Sequence, residues 1–294
     1  MAGVFELFHL SLHVKAQAEL FENSSPRTRE QWLREAFSKQ FAFQHRNKQM
    51  YWVPSSADHD LISGNLVRLH QRRRHKPPEE GAIEEIGEEW QGAIVIIDPS
   101  HHADGQKLSF ERDETIGKPR PVLQSLVAHI NAMPEAPYAI EPKPIFSEES
   151  FWSWASAHEF KLKAITFEFV TPNMFDSKNA FDEDMAELGA VGVSTVKMTM
   201  SEGDRGGGID ANSSQIKNAV DYAAQGGGSL SAKARNGDKF KSTNDSAIAT
   251  LPSKLADRSG GLKALTKWFP KLLGREQDNS MDGGAGDVGG PAGS

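Results

Sequence analysis

The chain of 294 residues contains no cysteine. That excludes disulfides, thiolate catalysis and cysteine-ligated zinc, and it agrees with a reducing compartment. No apolar run approaches the roughly 20 residues that a membrane-spanning helix needs. The start, MAGVFELFHLSLHVKAQ, lacks the cationic then apolar layout of a secretion signal. A cytoplasmic protein is therefore expected. Positive charge is not in surplus either: 33 Lys and Arg face 40 Asp and Glu, a net charge of −7, which argues against a surface coated in nucleic acid all over. With 38% hydrophobic residues the chain can still bury a core, in one elaborated domain or two modest ones.

What charge there is lies unevenly. Between Ser229 and Arg275 ten cations (Lys233, Arg235, Lys239, Lys241, Lys254, Arg258, Lys263, Lys267, Lys271, Arg275) face three acids (Asp238, Asp245, Asp257), a local +7 that leaves −14 for the remainder. Such asymmetry points to a polyanion-binding face. A second basic run, Arg72, Arg73, Arg74 and Lys76 in RLHQRRRHKPPEE, runs directly into glutamates. It reads as an auxiliary grip, a solvated junction, or half of an internal clasp.

Hydropathy patterning gives the organisation. Phe8, Leu10, Leu12 and Val14 alternate with His9, Ser11 and His13, a half-buried strand with the histidines toward solvent. Trp32, Leu33, Ala36 and Phe37 recur at helical spacing after Ser25 and Pro26, a cap and a first helical position. KQMYWVPS and LISGNLVRLHQ make a hairpin, KPPEEGAIEEIGEEW a solvated connection or short helix, and GAIVIIDPSHHADGQKLSFER a second hairpin. A helix follows from Val122 to Met133, and the Pro-interrupted EAPYAIEPKPIF marks the boundary between halves. The second half has a β-α-β-α-β order: FKLKAITFEFVTP, AFDEDMAELGAVG, VSTVKMTMS, NSSQIKNAVDYAAQGGG capped by Asn212 or Ser213, and SLSAKARNG. The predicted fold is α+β, two α/β subdomains with mostly antiparallel sheets, the second a split βαβαβ sandwich. Its divisions are an N-terminal domain (1–135), a C-terminal domain (136–252), a basic amphipathic helix (253–276) and a Gly-rich tail (277–294) with too little apolar surface to fold.

Several motifs bear on chemistry. HLSL has the His-x-Ser spacing of two-histidine phosphoesterases, but the second unit those sites require is missing. Asp98, His101, His102 and Asp104, with Glu111, could serve a metal-dependent nuclease; a hairpin tip supplies no preorganised second layer of ligands, and Asp-Gly is what a tight turn needs anyway. The loop 203–208, GDRGGG, could cradle phosphate but lacks the Lys-Ser/Thr of a Walker loop; Arg205 in it could add a phosphate contact. Asn236-Gly237 predicts a hairpin that clusters Lys233, Arg235, Lys239 and Lys241. Leu265 and Trp268 lie on the apolar side of the later helix and would suit a partner groove or membrane surface.

The element order resembles the RexA-like DNA-binding proteins of phage exclusion and, more distantly, the Kiwa defence DNA-binding subunit. The carrying stretches are AIVIIDP, VLQSLVAHINAM, YAIEPKPIFSEESFWSW with its Ile140-Glu141-Pro142, LKAITFEFVTPN and the block ending in SLSAKARNG. The resemblance spans Val4 to Pro252; the Lys-rich helix and tail have no counterpart in it. It implies a homodimer that binds double-stranded DNA without sequence preference and signals to a separate, often membrane-embedded, effector in anti-phage defence. The residues support the first part, since lysines and arginines neutralise phosphates without reading bases. The expected site is Lys233, Arg235, Lys239 and Lys241 first, then Arg72, Arg73, Arg74 and Lys76, with Arg205, in a protein without cofactor. The alternatives are the nuclease and an interaction subunit that docks through Leu265 and Trp268.

Overall fold

A computed structural model describes residues 3–15, 27–55, 60–100, 106–170, 180–204, 206–244 and 246–250. The expected helix at 253–276 and the tail at 277–294 lie outside the described residues. The architecture is α+β with antiparallel pairing between all its strands.

The first sheet has eight strands: β1 (Val4–Val14), β2 (Phe41–His45), β3 (Lys48–Ser55), β4 (Ile62–His75), β5 (Glu84–Asp98), β6 (Gln106–Glu111), β7 (Tyr138–Pro144) and β13 (Ile248–Thr250). Its order is β13-β1-β6-β5-β4-β3-β2, with β7 also on β1. Two helices, α1 (Arg29–Ala36) and α2 (Pro119–Asn131), supply Trp32, Leu33, Val122, Leu126 and Ile130 to a core with Phe8, Leu10, Trp52, Leu66 and Phe110. The cap of α1 is Thr28, in a reciprocal capping box with Gln31; the expected Ser25 and Pro26 lie outside the described residues.

Three expectations need correction. EAPYAIEPKPIF, read as the boundary between halves, belongs to the first sheet: β7 pairs with β1 from Phe8↔Pro144 to Val14↔Tyr138, and β13 returns to the same sheet. A division at 135/136 therefore cuts off β7 from the sheet it belongs to. KPPEEGAIEEIGEEW is neither loop nor exposed helix beyond a 3-10 turn at Pro78–Glu80; from Glu84 it is β5, paired with β4 over its whole length. His9 and Ser11 do not face solvent. Both are buried, and the turn at Gly226 seats on His9: a Cβ added there would come within 2.2 Å of the His9 Cβ.

The second sheet holds β8 (Lys161–Val170), β9 (Thr195–Ser201), β10 (Ile209–Asp210), β11 (Gly228–Ala234) and β12 (Lys239–Lys241). One edge of β8 pairs with β9 and β10, and the other pairs with β11, which pairs onward with β12. α3 (Glu148–Ala157), α4 (Ala180–Ala190) and α5 (Ser214–Tyr222) contribute Phe151, Met185, Ile216 and Val220 to a core on one face, against Phe167, Phe169, Leu230 and Phe240. A π turn at Ala223–Gly227 carries the chain from α5 into β11. The β-α-β-α-β order expected from the sequence is present.

One ionic cluster holds the β1–β7 pair. Glu141 lies 3.7 Å from His13 Nε2 and 2.5 Å from Lys143 Nζ. Its carboxyl is lowered to about 2, first by the neighbouring His13 and then by Lys143, with burial opposing. The folded pKa lies below the ordinary 4.5, so the ionised group stabilises the fold fully above that value and ceases to do so as pH falls through about 2. Glu141 is 44% exposed, and solvent screening holds its contribution to about 1 kcal/mol. Glu141→Gln is expected to cost about that much in denaturant unfolding at pH 7, with the cost fading as pH falls below about 2. A cost independent of pH would refute the assignment.

Candidate nucleic-acid interface

The hairpin β11–β12 turns as its sequence requires. Asn236 accepts the Asp238 N–H through its side-chain oxygen at 3.0 Å, and Gly237 takes φ +101°, the left-handed position that closes a three-residue loop. The register pairs Lys233 with Lys239 and Ser231 with Lys241. Leu230, Ala232, Ala234 and Phe240 are buried between these positions. Strand alternation thus puts Lys233, Lys239 and Lys241 on the face away from the helices.

That face continues across the sheet. Ser231 pairs with Thr166, and Thr166 with Thr199, their hydroxyls 3.2 Å apart. Lys197 lies opposite Glu168. The register shifts after Lys233↔Ala164 to Ala234↔Leu162, so Lys163 is the extra residue of a bulge and is exposed beside Lys233. The open face therefore presents Lys163, Lys197, Lys233, Lys239 and Lys241, a set of serines and threonines, and Glu168. Among the described residues no carboxylate lies within ion-pairing distance of any of these five lysines, and no aromatic side chain lies on this face. Lys163 and Lys197 escaped the sequence reading because neither lies in a charge run; strand alternation in FKLKAITFEFV and VSTVKMTMS was the available signal.

Arg235 differs from the lysines in having a carboxylate partner. It follows the last residue of β11, and its guanidinium lies 3.3 Å from Glu202. Glu202 also accepts the N–H groups of Gly207 (2.9 Å) and Gly208 (3.0 Å), which lower its pKa first, followed by the charges of Arg235 and of Lys163 beside it, with burial opposing. The backbone donors of the glycine loop, read as a phosphate cradle, are thus engaged by the protein's own carboxylate. Arg205 lies outside the described residues. On the helix side, His158 Nδ1 donates to the Trp154 carbonyl at 2.7 Å and Nε2 to Asp238 at 3.1 Å. These contacts, the backbone one first, raise the His158 pKa, while His158 and Asn236 lower that of Asp238. The lysine hairpin is clamped to the end of α3.

The second basic run is matched by acid. Arg72 lies 4.0 Å from Glu89, Arg73 3.2 Å from Glu84, Arg74 3.1 Å from Glu89 and Lys76 3.3 Å from Glu80. Of the three readings open from the sequence, the internal clasp is the arrangement found.

Of the acids considered for a metal, Asp98 and Glu111 lie apart. Asp98 pairs with Lys107, whereas Glu111 lies four residues further along β6 opposite Phe5, about 13 Å away at strand rise. Glu111 accepts the Ile94 N–H at 3.0 Å. His101, His102 and Asp104 lie outside the described residues, as do Leu265 and Trp268; among the described residues no group of three His, Asp or Glu could hold a metal ion. No described helix is long and apolar enough to cross a membrane. Compared with known proteins, the chain matches no family model and no curated sequence.

Proposed function

We propose that this protein binds the phosphate backbone of double-stranded DNA, without reading sequence, through the open face of the second sheet. One observation carries the proposal: five lysines share that face with Glu168 and no described ion pair, whereas Arg72, Arg73 and Arg74 of the first half are occupied. Lysines two apart on a strand are about 7 Å apart, and Lys233 stands across from Lys239 at about 5 Å, so the set is dense enough to follow one phosphodiester strand. Thr166, Thr199 and Ser231 can donate to phosphate oxygens between the lysines. Binding to single strands relies on bases stacking on aromatic rings, which this face lacks among its described residues. The chemistry therefore favours duplex.

In this reading the DNA contact is the sensing step of anti-phage defence or phage exclusion, with a separate effector, as the resemblance to the RexA-like proteins implies. The test is a gel-shift titration with mixed-sequence duplex at two salt concentrations. Binding is expected to weaken steeply with salt, by roughly 0.9 in log–log slope per phosphate contact, and to be indifferent to sequence. No binding at low salt would overturn the proposal.

A further inference from the structure

The hairpin β4–β5 outgrows its sheet. β3 accompanies β4 only as far as Val67, and β6 accompanies β5 only from Val95 on. Beyond both neighbours, eight cross-strand pairs from Arg68↔Gln91 to His75↔Glu84 form a two-stranded arm, about 27 Å long at strand rise. Among the described residues both edges of this arm are open, and they differ. The β4 edge carries Arg72, Arg73 and Arg74 in succession, cationic on both faces. The β5 edge, from Glu84 to Gln91, has no lysine and no proline, and its register with β4 runs without a shift. A long, regular edge that lacks lysine, proline and bulge is a template for the addition of another strand.

The backbone groups that point out of the β5 edge follow from its inner end. There the Ile94 N–H is taken at 3.0 Å by the side chain of Glu111, a residue of β6, so the Ile94 backbone faces the β6 side. Successive residues of a strand aim their N–H and C=O to alternate sides. Those of Trp90, Glu88, Ile86 and Glu84 therefore point the same way, into the open. Side chains then select what pairs with them. Trp90 (58% exposed) and Ile86 (63%) alternate with Glu88 and Glu84 on one face, beside Leu69, while Glu85 and Glu89 lie on the other with Gly87 between them. Glu89 lies beside Arg72 and Arg74, and Glu84 beside Arg73, all across the hairpin, whereas Glu85 and Glu88 have no described ion pair. Like charges directly opposite are destabilising, so these glutamates repel a second β5 edge and favour a cationic strand.

We propose that the open edge of β5 takes up a basic, extended peptide segment of a partner protein as an added strand. The backbone of that segment bonds to Trp90, Glu88, Ile86 and Glu84, its apolar side chains cover Ile86 and Trp90, and lysines or arginines on its other face meet Glu85 and Glu89. In this mode main-chain hydrogen bonds supply the affinity and the alternating side chains the specificity. The addition also gives a third strand to a ribbon that is marginally stable alone. This inference does not rest on the DNA reading, whose lysines lie on the second sheet and would repel such a segment.

Fluorescence anisotropy of the full chain with a labelled ten-residue peptide, valine at every second position and lysine between, tests it. The peptide is expected to bind, and the same peptide N-methylated at its valines, which oppose Ile86 and Trp90 and supply the inward N–H groups, to bind at least tenfold more weakly. Glu88→Pro removes an outward N–H and leaves the bonds to β4 in place. It is expected to weaken binding at least tenfold with an unchanged circular dichroism spectrum, and Glu88→Gln by no more than about threefold. Changing Glu85 and Glu89 together to Lys is expected to cost at least tenfold. No binding by the wild type, equal binding of the N-methylated peptide, which would mean charge attraction alone, or a Glu88→Pro chain that binds as well as Glu88→Gln overturns the proposal.

Discussion

Changing Lys233, Lys239 and Lys241 together to glutamate is expected to remove duplex binding, lowering affinity by about a hundredfold or more and the log–log salt slope by about 2.7, the value for three phosphate contacts. The three side chains project from a two-stranded hairpin whose opposite face, Ala232 and Phe240, is buried. They support no described packing contact, so folding should change by no more than about 0.5 kcal/mol, and unfolding curves measured beside the gel shifts would establish that. Reversing Arg72, Arg73 and Arg74 is the matched control. Those guanidiniums lie 3.1 to 4.0 Å from Glu84 and Glu89, and a phosphate would have to displace a carboxylate already in place. Their reversal should leave affinity within about threefold. If the arginine variant lost binding and the lysine variant kept it, the interface would be the β4–β5 arm and the present assignment would fall.

The largest loss of stability is expected at a glycine. Gly226 has φ +96°, where a side chain costs about 1–2 kcal/mol, and its added Cβ would sit 2.2 Å from the Cβ and 2.9 Å from the Cγ of His9. Neither His9 atom is the free end of a flexible chain, so relief requires the π turn to lift from β1, at a further cost of about 1–3 kcal/mol. Gly226→Ala should therefore cost about 3 kcal/mol, near 10 °C in Tm for a chain of this size. Gly237 separates the two contributions: it also has positive φ, +101°, but nothing lies within 4 Å of its added Cβ. Gly237→Ala should cost about 1 kcal/mol, strain alone. Equal losses at the two glycines, measured by thermal unfolding, would show that Gly226 does not join the two halves as described.

Short-range signals in the sequence were reliable wherever one face of an element is buried and the other wet. β8 alternates cleanly from Ala164 to Glu168, the turn after α5 takes its positive φ at Gly226, and Asn236-Gly237 predicts both the turn and the clustering of Lys233, Lys239 and Lys241. The outer part of the β4–β5 hairpin, from Arg68↔Gln91 to His75↔Glu84, hid for the complementary reason. Residues 68–75 and 84–91 are exposed on both faces over most of their length, so no hydrophobic period exists to be read, and Glu84, Glu85, Glu88 and Glu89 look like a solvated connection. β2, too short to show a period, went unread, as did α3, whose Ser147 cap followed by Glu148 and Glu149 was a usable start signal.

The sequence by itself determined the α+β class, the β-α-β-α-β order of the second half and the lysine hairpin, because each follows from residues within a few positions of one another. Tertiary structure alone decided which cations are available. Arg235 and the arginines of β4 resemble the lysines in composition, yet Arg235 meets Glu202, and Arg72, Arg73 and Arg74 meet glutamates from the facing strand, 11 to 17 positions away in sequence. It also decided that His9 is buried, by placing on it a turn more than 200 residues downstream. Whether a charge or a histidine meets water depends on what packs against it, and that partner is brought by the fold from parts of the chain that local pattern does not connect.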